Sequence, residues 1–347
     1  MHFTKLLAAV LLTSTLAFAQ DRIAISDPAK VDEDFAFQGE YSGLTLRDDN
    51  VLQTIGLQVI ARGSGQFDAV AHMGGLPGQG AGLTKVDLKG ERNDSSLQLT
   101  SDNLSVQIAD RQATVFSAAG NKLGSFFQVQ RTSPTLGKTP PPGAIVLFNG
   151  TNTEEFVKGK MTEAGLLKEG TQIKRTPRDF TLHLEFRLPY MPNSKGQKRG
   201  NSGVYIQSRY EVQILDSFGL PGVKNECGAL YRYKAPDVNM CLPPLSWQTY
   251  DITFYSPRFD VNGNKYQNAR ITVLHNGYPV HNNFSIERKT GAGKKEGPEL
   301  LLTKLQNHSD PVRFRNIWMV EHNVSQPCNC PPMIGATLPP NSVAIAE

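Results

Sequence analysis

Apolar and polar positions alternate along most of this chain in short runs. In Phe180–Leu188, Leu182, Leu184 and Phe186 fall on one side of an extended backbone, and His183, Glu185 and Arg187 on the other. The stretch from Asn201 to Ser217 alternates on both sides of Arg209-Tyr210, with Glu211 and Gln213 opposite Val212 and Ile214. After the first twenty residues no run of twelve carries apolar positions at helical spacing, so the pattern predicts an all-β protein. In the first half it predicts strands over Phe35–Tyr41, Leu52–Ala61, Gln66–His72, Ser96–Leu99, Ser105–Ile108, Gln112–Ser117 and Phe126–Gln130. In the second half it adds Trp247–Ser256, Glu299–His308, Pro311–Val320 and a hairpin over Ala269–Asn282. Asn276-Gly277 marks that hairpin, because both residues tolerate the positive φ that a tight turn between twisted strands requires.

Breaks in the pattern divide the chain. Arg131–Gly143 contains three consecutive prolines, which favour an extended, stiff linker. Residues 20–131 then form a smaller β domain, 132–143 the linker, and 144–322 a larger domain. About ten strands over the larger block suit a two-sheet jelly roll. Residues 323–347 are too proline-rich and too unpatterned for a core and read as a tail. The glycines of Gly74–Gly82 lack the lysine and helix of a phosphate loop, and read as a loop between strands.

The first nineteen residues form a separate unit. Lys5, the apolar run Leu6–Leu16 and Ala17-Phe18-Ala19 have the layout of a cleaved export signal. The expectation is a periplasmic or extracellular protein with no transmembrane segment. The 36 Lys and Arg nearly balance the 32 Asp and Glu, and they are scattered rather than laid in a stripe. That distribution argues against a nucleic-acid partner. Four cysteines in an exported chain favour disulfides. Cys227 and Cys241 are expected to pair; Cys328 and Cys330 are left open between pairing and free thiols. A Cys₄ zinc site is the rival reading, though neither pair has C-x₂-C spacing.

Several segments together carry a resemblance. They are IVLFNG (145–150), FTLHLEFRL (180–188), GNSGVYIQSRYEVQILDS (200–217), NECGALY (225–231), WQTYDITF (247–254), HNG (275–277) and LQNHSDPVRFRNIWM (305–319). In this order they resemble the DUF1080 family, also called the 3-keto-disaccharide hydrolase domain, over about half of the chain. The resemblance implies a concanavalin A-like jelly roll, preceded here by the small β domain, and a carbohydrate substrate. It further implies cleavage of glycosides oxidised at C3. A ketone there acidifies the C2 hydrogen, a base removes it, the leaving sugar departs, and water adds. That route needs a base, an acid, and a divalent metal or hydrogen-bond donors at the carbonyl. Ordinary hydrolysis would instead need two carboxylates flanking the bond.

If the alternating strands neighbour one another, their polar sets converge. Glu211, His308 and Glu185 are then the catalytic candidates. Gln213, Arg187, His183, Tyr205, Gln207, Asn201 and Gln306 are candidates for substrate binding. Asp216, at a strand end, reads equally as a turn cap or an ion ligand. A glycan-binding module without catalysis is the alternative on the same fold.

Overall fold

A computed structural model describes residues 22–46 and 51–322, together with the backbone of 344–345. The export-signal reading, Cys328 and Cys330 lie outside the described residues. Among the described residues the protein is all-β, and no helix is long and apolar enough to cross a membrane.

The first domain is an antiparallel meander of eight strands: β1 (Gly39–Leu46), β2 (Leu52–Gly63), β3 (Gln66–Met73), β4 (Lys85–Asn93), β5 (Ser96–Thr100), β6 (Leu104–Ala109), β7 (Gln112–Ser117) and β8 (Lys122–Gln130). β1 pairs with β2 on one side and with β8 on the other, which closes the sheet into a barrel. Closure removes both sheet edges and leaves alternate side chains to fill the interior. Leu57, Val59, Phe67, Leu97, Leu99 and Ile108 do so, each almost fully buried. Asp110 and Arg111, both with positive φ, make the two-residue turn between β6 and β7.

Two sequence expectations change here. Phe35–Tyr41 is not one strand. Asp32 accepts a hydrogen bond from Phe35 N and caps a 3₁₀ turn over Glu33–Ala36, so β1 begins at Gly39. β4 escaped the pattern because its sequence, KVDLKGERN, buries only Leu88 and exposes charges outward.

The second domain is a sandwich. One sheet contains, in order, Leu167–Lys168, Arg313–Glu321, Asp179–Arg187, Trp247–Tyr255, Ala269–His275 and Tyr278–Ile286, with Ile145–Phe148 beside Arg313–Glu321. The other contains Phe156–Val157, Thr171–Ile173, Lys304–Leu305, Ser202–Ile206 and Tyr210–Ile214. Leu182, Leu184, Phe186, Tyr250 and Ile252 from the first sheet meet Val204, Ile206, Val212, Ile214 and Leu305 from the second in one core. The expected strand over Glu299–His308 shrinks to Lys304–Leu305. Residues before it are held by the neighbouring hairpin instead: Leu302 O accepts from Ser208 Oγ, and Glu299 O from Arg209 Nη1, each at 2.8 Å.

The domains are fastened together. Ile60 points out of the barrel into the sandwich core, against Gly219, where a Cβ would lie 2.4 Å from it. The proline-rich segment is docked rather than free. Ser133 Oγ lies 2.6 Å from Thr249 Oγ1, Thr135 Oγ1 donates to Asp251 Oδ2 at 2.7 Å, and Gly137 N donates to Glu185 Oε1 at 2.6 Å. The Gly74–Gly82 loop also takes part, since Pro77 O accepts from Arg131 Nη1 at 2.6 Å.

Candidate functional site

Strand alternation gives each sheet of the sandwich an inner apolar and an outer polar face. The candidate site lies on the outer face of the five-stranded sheet. Tyr210, Val212 and Ile214 point into the core, so Glu211 and Gln213 point outward. Tyr205 stands directly opposite Glu211, and Gly203 opposite Gln213. Gly203 leaves room for the Glu211 carboxylate: a Cβ there would lie 2.5 Å from Glu211 Oε1, which would have to shift.

Glu211 is only 2% exposed. Its backbone N–H donates to Thr290 Oγ1 at 2.8 Å, and its Oε2 has no hydrogen-bonding partner. Burial raises its pKa to about 7, against the opposing pull of the Tyr205 hydroxyl and the Lys304 ammonium. Gln213, with its amide nitrogen toward them, donates to Ser202 O at 2.8 Å and to Glu211 Oε1 at 3.1 Å. Asn201 Nδ2 donates to Gln197 O at 2.8 Å, and Asn201 N donates to Asp310 Oδ2 at 2.7 Å. Gln306 Nε2 donates to Tyr205 OH at 3.4 Å, and its Oε1 is buried without a partner. His308 is exposed, and its charge acts on Asp310, whose pKa burial raises. Glu211, Gln213, Tyr205, Asn201 and Gln306 therefore lie together, with His308 at the Asp310 end of the group.

Four groups of this cluster were not singled out from sequence: Lys304, Gln197, Thr290 and Asp310. Lys304 Nζ sits 5.4 Å from the Tyr205 ring centroid. Its signal was the alternation Lys304, Leu305, Gln306, which sets Lys304 and Gln306 on one face once Leu305 enters the core.

The remaining candidates lie elsewhere, and the expected convergence is corrected. His183 and Glu185 occupy the outer face of the other sheet, with the core between them and Glu211. His183 Nδ1 lies 2.8 Å from Asp251 Oδ1, and its ring stacks on Trp318 at 4.9 Å. Burial opposes the charge on Glu185. Neighbouring His183, the side chains of Asn316 and Arg315, and the Gly137 N–H outweigh it and lower the pKa to about 2. Arg187 donates to Ser26 O at 3.0 Å and lies over the Trp247 ring.

Gln207 is not on the Glu211 face. The strand ends at Ile206, and Gln207 and Ser208 take positive φ as the hairpin turn. Its amide is spent on Pro177 O at 3.1 Å and Ser256 Oγ at 2.8 Å. Asp216 is a buried ion-pair partner, 2.6 Å from Arg199 Nε, and the same guanidinium donates to Ala61 O of the barrel at 3.3 Å. Among the described residues no three His, Cys, Asp or Glu side chains are placed to hold a metal. Cys227 and Cys241, the pair expected to form a disulfide, are both buried and are thiols in this structure. The two thiols contact one another, Cys227 Sγ lies 3.2 Å from Tyr250 OH, and Cys241 Sγ lies 3.5 Å from Leu215 O.

Residues 143–320 match the family described as the 3-keto-alpha-glucoside-1,2-lyase-like domain. No protein of curated function matches the chain. Among solved structures, a provisionally named glycosyl hydrolase from Parabacteroides distasonis is 30% identical, over 56% of this chain and 91% of its own, with a TM-score of 0.49. A second of that name and organism is 19% identical over 52% of this chain and 94% of its own, with a TM-score of 0.38.

Proposed function

We propose, from the premise that this chain belongs to the 3-keto-alpha-glucoside-1,2-lyase-like family, that it is an exported enzyme cleaving glycosides oxidised at C3, with Glu211 as the proton-transfer group. The observation that carries this reading is the Glu211 carboxyl, which is buried, leaves Oε2 unpartnered, and has a pKa raised to about 7. A carboxyl held near neutrality can both accept and return a proton at physiological pH.

In the proposed reaction Glu211 takes the C2 proton of the 3-keto sugar. The electron pair left at C2 delocalises onto the C3 oxygen. The Lys304 ammonium and the Gln213 and Gln306 amides are the groups on this face able to stabilise the resulting oxyanion. The pair then forms the C1–C2 double bond as the C1–O bond breaks, and the leaving oxygen takes a proton. His308 is the proposed donor, because it stands in solvent beside Asp310 and an imidazole can hand a proton to a leaving oxygen. Addition of water across C1–C2 gives the 3-keto sugar, and the sum is hydrolysis. Tyr205 and Asn201 are the proposed sugar-binding groups, the first through its ring and the second through its amide. No step is assigned to a metal.

The test is release of aglycone from a 3-keto-glucoside and from its unoxidised parent, each with and without EDTA. Release from the keto form alone supports the elimination route, and loss of that release with EDTA would add a metal to it. Release from the parent at equal rate would replace it with ordinary glycoside hydrolysis. Release from neither, with retained sugar binding, would make this face a glycan-binding surface.

A further inference from the structure

The barrel is filled from one end only. Phe35 and Phe37, around the 3₁₀ turn, pack against its core, and Tyr190 of the sandwich joins them, its ring 5.0 Å from that of Phe35. At the opposite end, where β1 finishes and β2 begins, an open-mouthed cavity of about 410 Å³ is left. Its inner wall is Ile55, Ala71, Leu88, Val106, Val115 and Phe126. These six are buried and belong to the barrel core, so the cavity is a continuation of that core without atoms in it.

Sequence explains the space. Eight strands give an interior that side chains can either fill or leave to one small ligand. Large residues occupy the half toward Phe35. Toward the other end β3 contributes Ala71, and β1 contributes Gly43, where a Cβ would lie 2.5 Å from the Phe126 ring. That glycine lets Phe126 lie against the wall as a floor. Beyond it, Thr45, Gln53, Met73, Leu104 and Leu123 face the cavity yet are only partly buried, so this end is open to solvent.

We propose that the barrel is a binding site for one small, uncharged, lipophilic molecule with a single polar end. The volume falls within the range of small-molecule pockets, which are mostly apolar with a few placed polar groups. Among the described residues no charged side chain lines this cavity, so there an ionic ligand would lose its hydration with nothing to replace it. Among the described lining residues the hydrogen-bonding side chains, Thr45 and Gln53, both lie at the mouth and set the polar end of the ligand outward. Leu46, which also lines the cavity, is 47% exposed, and Leu44 and Leu52 at the same end are 51% and 63% exposed, an apolar rim over which such a molecule can enter. The site is independent of the Glu211 face and does not rest on the glycoside reading.

The experiment is a fluorescence titration of the full chain with N-phenyl-1-naphthylamine, followed by competition. A saturable, blue-shifted signal with one site per chain is expected. Dodecan-1-ol should displace the probe at least tenfold better than dodecanoate or dodecylamine. Leu104→Trp and Gln53→Trp, each placed at the mouth to spare the packed half, should weaken probe binding at least tenfold with the wild-type melting temperature retained. Absence of a saturable signal overturns the proposal. Unchanged binding in both folded variants also overturns it, because the probe would then sit outside the barrel. Better displacement by the charged competitors would remove the apolar assignment.

Discussion

Glu211 and Glu185 lie on opposite outer faces of one β-sandwich, and their surroundings drive them in opposite directions. Glu211 is raised to about 7 by burial, with one oxygen unpartnered. Glu185 is lowered to about 2 because Arg315, Asn316, Gly137 N–H and the nearby His183 overcome its burial. Two carboxylates that read alike on alternating strands are thus a proton-transfer candidate and a fastening.

Glu211→Gln is expected to reduce turnover of a 3-keto-glucoside by about 10²–10⁴-fold, the usual worth of a general base, with KM little changed. The wild-type rate should rise through pH 7 as the carboxyl ionises. A variant that keeps wild-type kcat would remove Glu211 from the reaction.

The same group makes a stability prediction. The unfolded chain ionises Glu211 near 4.5, whereas the folded protein holds that proton to about 7. Between those values the folded state binds the extra proton, so this group's contribution falls as pH rises and levels off above 7. The whole change is about 3 kcal/mol. Urea unfolding at pH 5 and pH 8 should show Glu211→Gln gaining on the wild type at the higher pH. Parallel curves would mean that Glu211 is not buried as described.

Glu185 behaves in the reverse sense. Its folded pKa is below its unfolded one, so its contribution is complete above 4.5 and is lost as pH falls toward 2. Glu185→Ala removes the acceptor of Gly137 N–H and of Arg315, and should cost about 2–3 kcal/mol with catalysis retained at neutral pH. Loss of kcat in a stably folded variant would return Glu185 to the catalytic set.

Cys227 and Cys241 should react with a thiol reagent only after unfolding, because both are buried. Intact mass of the unreduced protein should show both as thiols; a cross-linked Cys227–Cys241 peptide would establish the disulfide expected from sequence.

The sequence by itself carried the β class and the inward face of the sandwich strands. Alternation in Phe180–Leu188 and Tyr210–Ile214 is a local property of a pleated backbone, so Leu182 and Val212 could be placed inward without coordinates. Gly203 belongs to a recognisable motif, although its reason, the Glu211 carboxyl packed against it, is a tertiary contact. Alternation assigns a residue to a face; it is silent on which strands share a sheet. That is why Glu185 and Glu211 could be read as one cluster, and why only the pairing of Asp179–Arg187 with Trp247–Tyr255, and of Tyr210–Ile214 with Ser202–Ile206, separated them. Gln207 shows the same limit at shorter range, since one turn converts a position expected on the Glu211 face into a buried anchor. Lys304 entered the site because its two-residue strand pairs with Ser202–Ile206, more than ninety positions away in sequence. The barrel's closure rests on β1 meeting β8, and its half-empty interior on where large and small side chains from eight strands coincide. Such long-range coincidences leave no mark in any single segment, so tertiary structure alone decided them.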